Sequence, residues 1–187
     1  DNSHLIPFLD CAYQGFASSL DEDIYAARRL SDANINFVFA YSFSKNMALY
    51  RERIGALSIY SKDDQKSEAI STQIQSIVRG IYSSPPAHGA EIVTTILQSD
   101  DLRSEWITEL NSMRERVIGL RSDLANRRPE LSFLTKQNGL FSIIGLDKDT
   151  ITTLREDYGI YIVGNSRINI AGLSPSSLDY LCGSLDK

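Results

Sequence analysis

Apolar and polar positions alternate along this chain in blocks. Residues 4–10, HLIPFLD, form a short apolar run closed by an acid and predict a buried strand. Residues 19–32, SLDEDIYAARRLSD, carry acids early and arginines late, the charge order that suits a helix macrodipole. Residues 34–41, with the core INFVFAY, predict a second buried strand, and residues 54–60, IGALSIY, a third. Strand, helix, strand with continuous apolar strands is the pattern of α/β packing in which both faces of the sheet are covered.

The period then changes. Ile70, Ile74, Ile77 and Val78 fall on one face of a helix over residues 63–79. SSPPAHGAE breaks it, with Pro86 expected in the first turn of a following helix that runs to about Ser99. Residues 101–128 place Leu102, Trp106, Leu110, Met113, Val117, Leu120 and Leu124 on one stripe. A helix of ~28 residues would be ~42 Å long, more than one small core requires, so it should serve two. Beyond RRPE, the segments LSFL, GLFSIIGL, GIYIV and SRINIAGL predict short strands, with helices near residues 147–157 and 174–185. The expected organisation is α/β: residues 1–100 as part of a larger domain, 101–130 as a linking helix, and 131–187 as a small α+β domain. An uncovered hydrophobic strand so near the first residue suggests that further sequence precedes it.

Composition narrows the function. With 19 Lys and Arg against 24 Asp and Glu, the net charge of −5 gives no general attraction for nucleic acid or an acidic membrane surface. His4 and His88 are far apart and lack Cys or carboxylate neighbours at metal-ligand spacing, so no metal site is expected. Cys11 and Cys182 read as reduced thiols of a cytosol-like compartment. No apolar run reaches the ~20 residues of a membrane span.

Against this acidic background one stretch stands out, YSFSKNMALYRERIGA at residues 41–56. Lys45 follows a buried strand at its carboxyl end, where α/β sheets hold ligands. A lone loop lysine is most often simply solvated; in a pocket it is an amine able to form a Schiff base. Asp10 closes the first predicted strand and would emerge at the same sheet edge if the strands are parallel. Buried there it would need a cation or several donors, although a turn cap is the commoner role. Tyr13 could bring its hydroxyl to the same pocket. Ser42, Ser44 and Arg53 offer hydroxyls and a guanidinium suited to a phosphate, while serines near turns are also routine backbone partners. Arg51 and Glu52 read as surface residues.

Taken together, DCAYQGFASSLDED, SFSKNMALYRERIGA, IYSSPPAHGA, GLFSIIGL and SRINIAGL closely resemble the aspartate aminotransferases, class I enzymes of the fold-type I group that use pyridoxal 5′-phosphate (PLP). The likeness runs along essentially the whole chain and corresponds to about the C-terminal half of the family's polypeptide. It implies a mostly parallel sheet with helices on both faces and one antiparallel strand, for which residues 54–60 are the candidate. It further implies that Lys45 binds the cofactor aldehyde and shuttles the α-proton, that Asp10 pairs with the pyridine nitrogen, and that Tyr13 donates to the 3′-oxygen. By the same resemblance Ser42 and Arg53 hold the phosphate, Arg167 the substrate α-carboxylate, and Arg79 the distal carboxylate in the neighbouring subunit of a homodimer. Phe141 would line the substrate cavity.

Two positions depart from the family pattern. Ala48 stands where Gly is common, which matters if the backbone there has positive φ. Ser84 stands where Asn precedes the two prolines, and bears on substrate choice. The family's phosphate loop, its ring that stacks on PLP and its asparagine at the 3′-oxygen lie upstream of residue 1. The expectation is therefore transamination between aspartate and 2-oxoglutarate by the parent protein, cytoplasmic by default with mitochondria open, and an inactive isolated half. The alternatives are a non-catalytic structural or dimerising unit and an aromatic aminotransferase.

Overall fold

The structure, a computed structural model, describes residues 4–185. The first three positions of the expected first domain and the last two of the expected last one lie outside the described residues. The chain divides into two compact units, Asp1–Leu110 and Asn111–Lys187.

The first unit is built on a three-stranded sheet in the order β1 (Phe8–Cys11), β2 (Phe37–Ser42), β3 (Gly55–Tyr60). β1 runs parallel to β2, with Asp10 opposite Ala40 and Cys11 opposite Tyr41. β3 is antiparallel to β2, as the resemblance implied. Gly55 lies opposite Ser42, and a Cβ built on it would stand 2.5 Å from the Tyr41 carbonyl oxygen. The crossover from β1 to β2 contains α1 (Tyr25–Asp32).

The first strand is shorter than its apolar run. Pro7 supplies only its carbonyl, which accepts from the Val38 amide at 2.9 Å, so the ladder begins after it. Nor is that run buried: Leu5, Ile6 and Phe8 are 60%, 67% and 63% exposed. β3 is exposed over its first four residues, and α1 and α2 (Asp64–Ile81) bury no residue. The expectation of strands covered on both faces is thus not met among the described residues. What is buried here is Phe16, Phe37, Val93 from α3 (His88–Gln98), and Trp106 and Leu110 from the start of α4 (Asp100–Arg127).

Helix α1 also begins later than its charge pattern suggested. The Asp23 carboxylate accepts from the amides of Gly15, Ala17 and Ser18 at 2.7, 3.0 and 2.9 Å, folding the preceding loop onto itself. An aspartate so engaged competes with helix propagation. Pro86 falls outside α3, whose N-cap is Ala87. α4 has the expected length, 28 residues. Its stripe contributes Trp106 and Leu110 to the first unit and Val117, Leu120 and Leu124 to the core of the second, but Leu102 is 40% exposed.

In the second unit that core closes around Leu131, Leu134, Ile144, Ile168, Ile170 and Leu178. LSFL is not a strand. Pro129 opens a 3₁₀ helix over Pro129–Lys136, and the three-residue period buries Leu131 and Leu134 together. GIYIV is irregular: Gly159 has φ +63° and Tyr161 is 83% exposed. Among the described residues two strands remain, β4 (Phe141–Ile143) and β5 (Arg167–Asn169), paired antiparallel. Helices α5 (Lys148–Glu156) and α6 (Pro175–Ser184) start where their caps stand. Asp147 accepts from the Thr150 amide, and Ser174 and Ser177 form a reciprocal capping box.

Two outcomes follow. Leu124 is fully buried, so Leu124→Ala should cost about 2–5 kcal/mol in urea unfolding of the second unit. The Thr150 amide hydrogen bond, followed by its hydroxyl, holds the Asp147 carboxyl below the usual range. A depressed folded-state value contributes stability above the unfolded value and loses it as pH falls through the folded one. The stability difference between the parent and Asp147→Asn should therefore shrink on acidification; a difference constant across that range would contradict the assignment.

Candidate active site

β2 ends at Ser42, and a turn over residues 44–47 carries Lys45 beyond the carboxyl end of the parallel pair. The Ser42 hydroxyl accepts from the Ser44 amide at 3.2 Å and donates to the Ser44 hydroxyl at 3.0 Å. Side chains on a strand alternate in direction, and Asp10 pairs with Ala40, two residues before Ser42. Asp10 and Ser42 therefore face the same side of the sheet.

Lys45 Nζ lies 5.0 Å from the centre of the Tyr13 ring and 5.3 Å from that of Tyr50. These are cation–π distances. The amine makes no hydrogen bond or ion pair with the described residues. Arg53 also approaches Tyr50: its guanidinium carbon is 5.8 Å from the ring centre, and Nη1 donates to the Tyr50 carbonyl at 3.0 Å. Asp10 is exposed and has no cation or hydrogen-bond donor among the described residues. It lies on the same sheet face as Phe8, which is also exposed.

The backbone beneath Lys45 is held from three sides by groups the sequence did not single out. Asn46 is 1% exposed, and its amide donates to the Tyr41 hydroxyl at 2.6 Å and the Gln14 carbonyl at 3.3 Å. Its own carbonyl accepts from the Trp106 indole at 2.6 Å. Burial holds the Tyr41 phenol above its ordinary value despite the Asn46 hydrogen bond, so it remains neutral. Burial and then Asp23 push the Cys11 thiol up in the same way. The one hint in the sequence was position: a polar Asn beside Lys45, with the chain's single tryptophan sixty residues on.

The remaining candidates stand elsewhere. Arg79 is exposed in the last turn of α2 and has no contact with the Lys45 group among the described residues. In the second unit the Arg167 guanidinium lies 5.1 Å from the Phe141 ring centre. Both line a cavity of about 400 Å³ whose walls include Ile162, Leu173, Tyr180 and Leu181. Arg167 is the only charged residue lining it among the described residues, so the cavity offers an anion one cation within apolar walls.

An amine beyond a parallel strand, within cation–π distance of two tyrosine rings, is thus joined on the same turn and loop by the Ser42 and Ser44 hydroxyls and by Arg53. The profile of the family described as aminotransferase class I and II matches residues 1–185, and the chain belongs to that family. An aspartate aminotransferase of Salmonella typhi is 42% identical over 183 residues, covering 95% of this chain and 46% of that protein. An aromatic-amino-acid aminotransferase of Escherichia coli is 38% identical, covering 93% and 45%. The crystal structure of an aromatic-amino-acid aminotransferase from Burkholderia pseudomallei, covalently bound to pyridoxal phosphate, matches with a TM-score of 0.94 and 40% identity over 97% of this chain and 47% of that one. The chain spans about half the length of the curated relatives it matches.

Ala48 has φ +55°, the left-handed region that costs a side-chain-bearing residue about 1–2 kcal/mol. Part of the gain from glycine is offset by its larger unfolded-state entropy, about 0.4–1 kcal/mol. Ala48→Gly should thus stabilise the first unit by about 0.5–1 kcal/mol in chemical denaturation. A destabilised variant would contradict the strain.

Proposed function

We propose that this chain contributes the lysine-bearing part of a PLP-dependent transaminase that exchanges the amino group between aspartate and 2-oxoglutarate, giving oxaloacetate and glutamate. The observation that carries this reading is the Lys45 amine, held between Tyr13 and Tyr50 with no acid to neutralise it. The donor set fits the cofactor: an amine for an aldehyde, the Ser42 hydroxyl and Arg53 for a phosphate, and an unpartnered Asp10 carboxylate for a protonated ring nitrogen. When bound, PLP supplies an electron sink for negative charge at the substrate α-carbon.

The chain's own groups have complementary tasks. Lys45 Nζ would hold the cofactor aldehyde and would serve as the base that moves the proton at the substrate α-carbon. Asp10 keeps a proton on the ring nitrogen by placing a negative charge beside it. Tyr13 donates to the 3′-oxygen, Arg167 grips the α-carboxylate by two parallel hydrogen bonds, and Phe141 bounds the substrate beside it. Arg79 receives the distal carboxylate, across the interface of a homodimer. Residues 1–100 form part of the cofactor domain, the long helix links it to residues 131–187, and the cytoplasm is the proposed compartment.

Two other readings have specific support. The aromatic-amino-acid aminotransferases among the relatives favour an aromatic substrate. The uncovered sheet and the half-length coverage favour a 187-residue chain that is inactive alone, serving at most as a structural or dimerising unit.

Borohydride reduction of the intact natural protein after PLP treatment, followed by peptide mapping, should label Lys45, and no label there would overturn the transaminase reading. Arg79→Leu should depress turnover of aspartate by on the order of 1,000-fold more than that of phenylalanine, given about 3–5 kcal/mol for a buried carboxylate losing its partner. Equal losses on both substrates would remove the assignment of Arg79.

A further inference from the structure

We propose that Asn46 is a positioning residue for Lys45, fixing the distance between the lysine amine and the Tyr13 ring; this rests on the reading of Lys45 as the cofactor-binding amine. Gln14 follows Tyr13 directly in the chain, and Asn46 follows Lys45. The hydrogen bond from the Asn46 amide to the Gln14 carbonyl, 3.3 Å, therefore ties together the two loops that carry the interacting side chains. The second bond, 2.6 Å to the Tyr41 hydroxyl, fixes the amide against β2. The third, 2.6 Å from the Trp106 indole to the Asn46 carbonyl, fixes the backbone of the same residue against α4. Lys45 itself forms none of these bonds, so its backbone is held while its amine stays available.

Packing alone does not account for an asparagine here. Its Oδ1 is buried and has no partner among the described residues. An apolar side chain of the same size would avoid burying that unpaired acceptor. The amide is tolerated because both its N–H donors go to acceptors on separate segments, the condition under which a buried polar group specifies one arrangement. Displacing a reacting group by ~1 Å can cost ~100-fold in rate, so a tie of this kind acts on chemistry through geometry.

The test uses the intact natural protein and three variants. Tyr41→Phe removes the hydroxyl acceptor, Trp106→Phe the indole donor, and Asn46→Ala the amide. Two quantities are read after adding PLP: the rate at which borohydride fixes it to Lys45, and the pH midpoint of the cofactor's visible absorption band. Asn46→Ala should label about tenfold more slowly and shift the midpoint, with the two Phe variants moving in the same direction by smaller steps while keeping near-parental thermal midpoints. Variants that fold, label at the parental rate and leave the midpoint unmoved overturn the proposal. Should Asn46→Ala fail to fold, the two Phe variants decide by the same criteria. A parent protein that never labels at Lys45 overturns the cofactor reading itself, and this inference with it.

Discussion

Parallel pairing of β1 with β2 is the constraint from which the candidate site follows. Once Asp10 stands opposite Ala40, the pleat sends Asp10 and Ser42 to the same face, and the loops leaving both strands emerge at the same end. Tyr13 belongs to one of those loops and Lys45 to the other. Their approach to cation–π distance is a consequence of register, reinforced by Asn46 across the gap. A slip of one residue would turn Asp10 to the opposite face and break the correspondence.

The two units differ in how their apolar surface is used. In the second, short strands, a 3₁₀ turn and capped helices enclose a continuous core with Leu124, Leu134 and Ile170 fully buried. In the first, α1 and α2 bury nothing, and Phe8 and Leu57 stand exposed on the same sheet face as Asp10. Its buried residues include Trp106 and Asn46, the latter adjoining Lys45 in the chain and joined to the Trp106 indole.

Much of this was legible in the sequence, for different reasons. The order of elements and the length of α4 followed from periodicity over long windows, where the signal accumulates. The roles proposed for Lys45, Asp10 and Arg167 rest on motifs, which say nothing of the surroundings of these residues. Apolar content could not reveal that Leu5, Ile6 and Phe8 lie exposed, because burial depends on what lies opposite, and a short run carries no period to consult. Asp23 suppressed the start of a helix through a side-chain competition that charge order conceals. LSFL did contain its own answer, two leucines three apart behind a proline. GIYIV did not, because its β-branched residues mark a strand preference that no neighbouring strand meets. Asn46 and Trp106 were invisible as a pair, being sixty residues apart and joined through a backbone carbonyl.

Gly55 gives the sheet a tolerance that can be stated sterically. Any side chain at this point would enter the space of the Tyr41 carbonyl, so the antiparallel partner of Ser42 must lack one. The next residue, Ala56, has a methyl group, and sliding β3 along β2 by one step would drive it into that same carbonyl. A missing atom thus acts as a latch on alignment, holding the strand that borders the Lys45 loop to a single permitted frame.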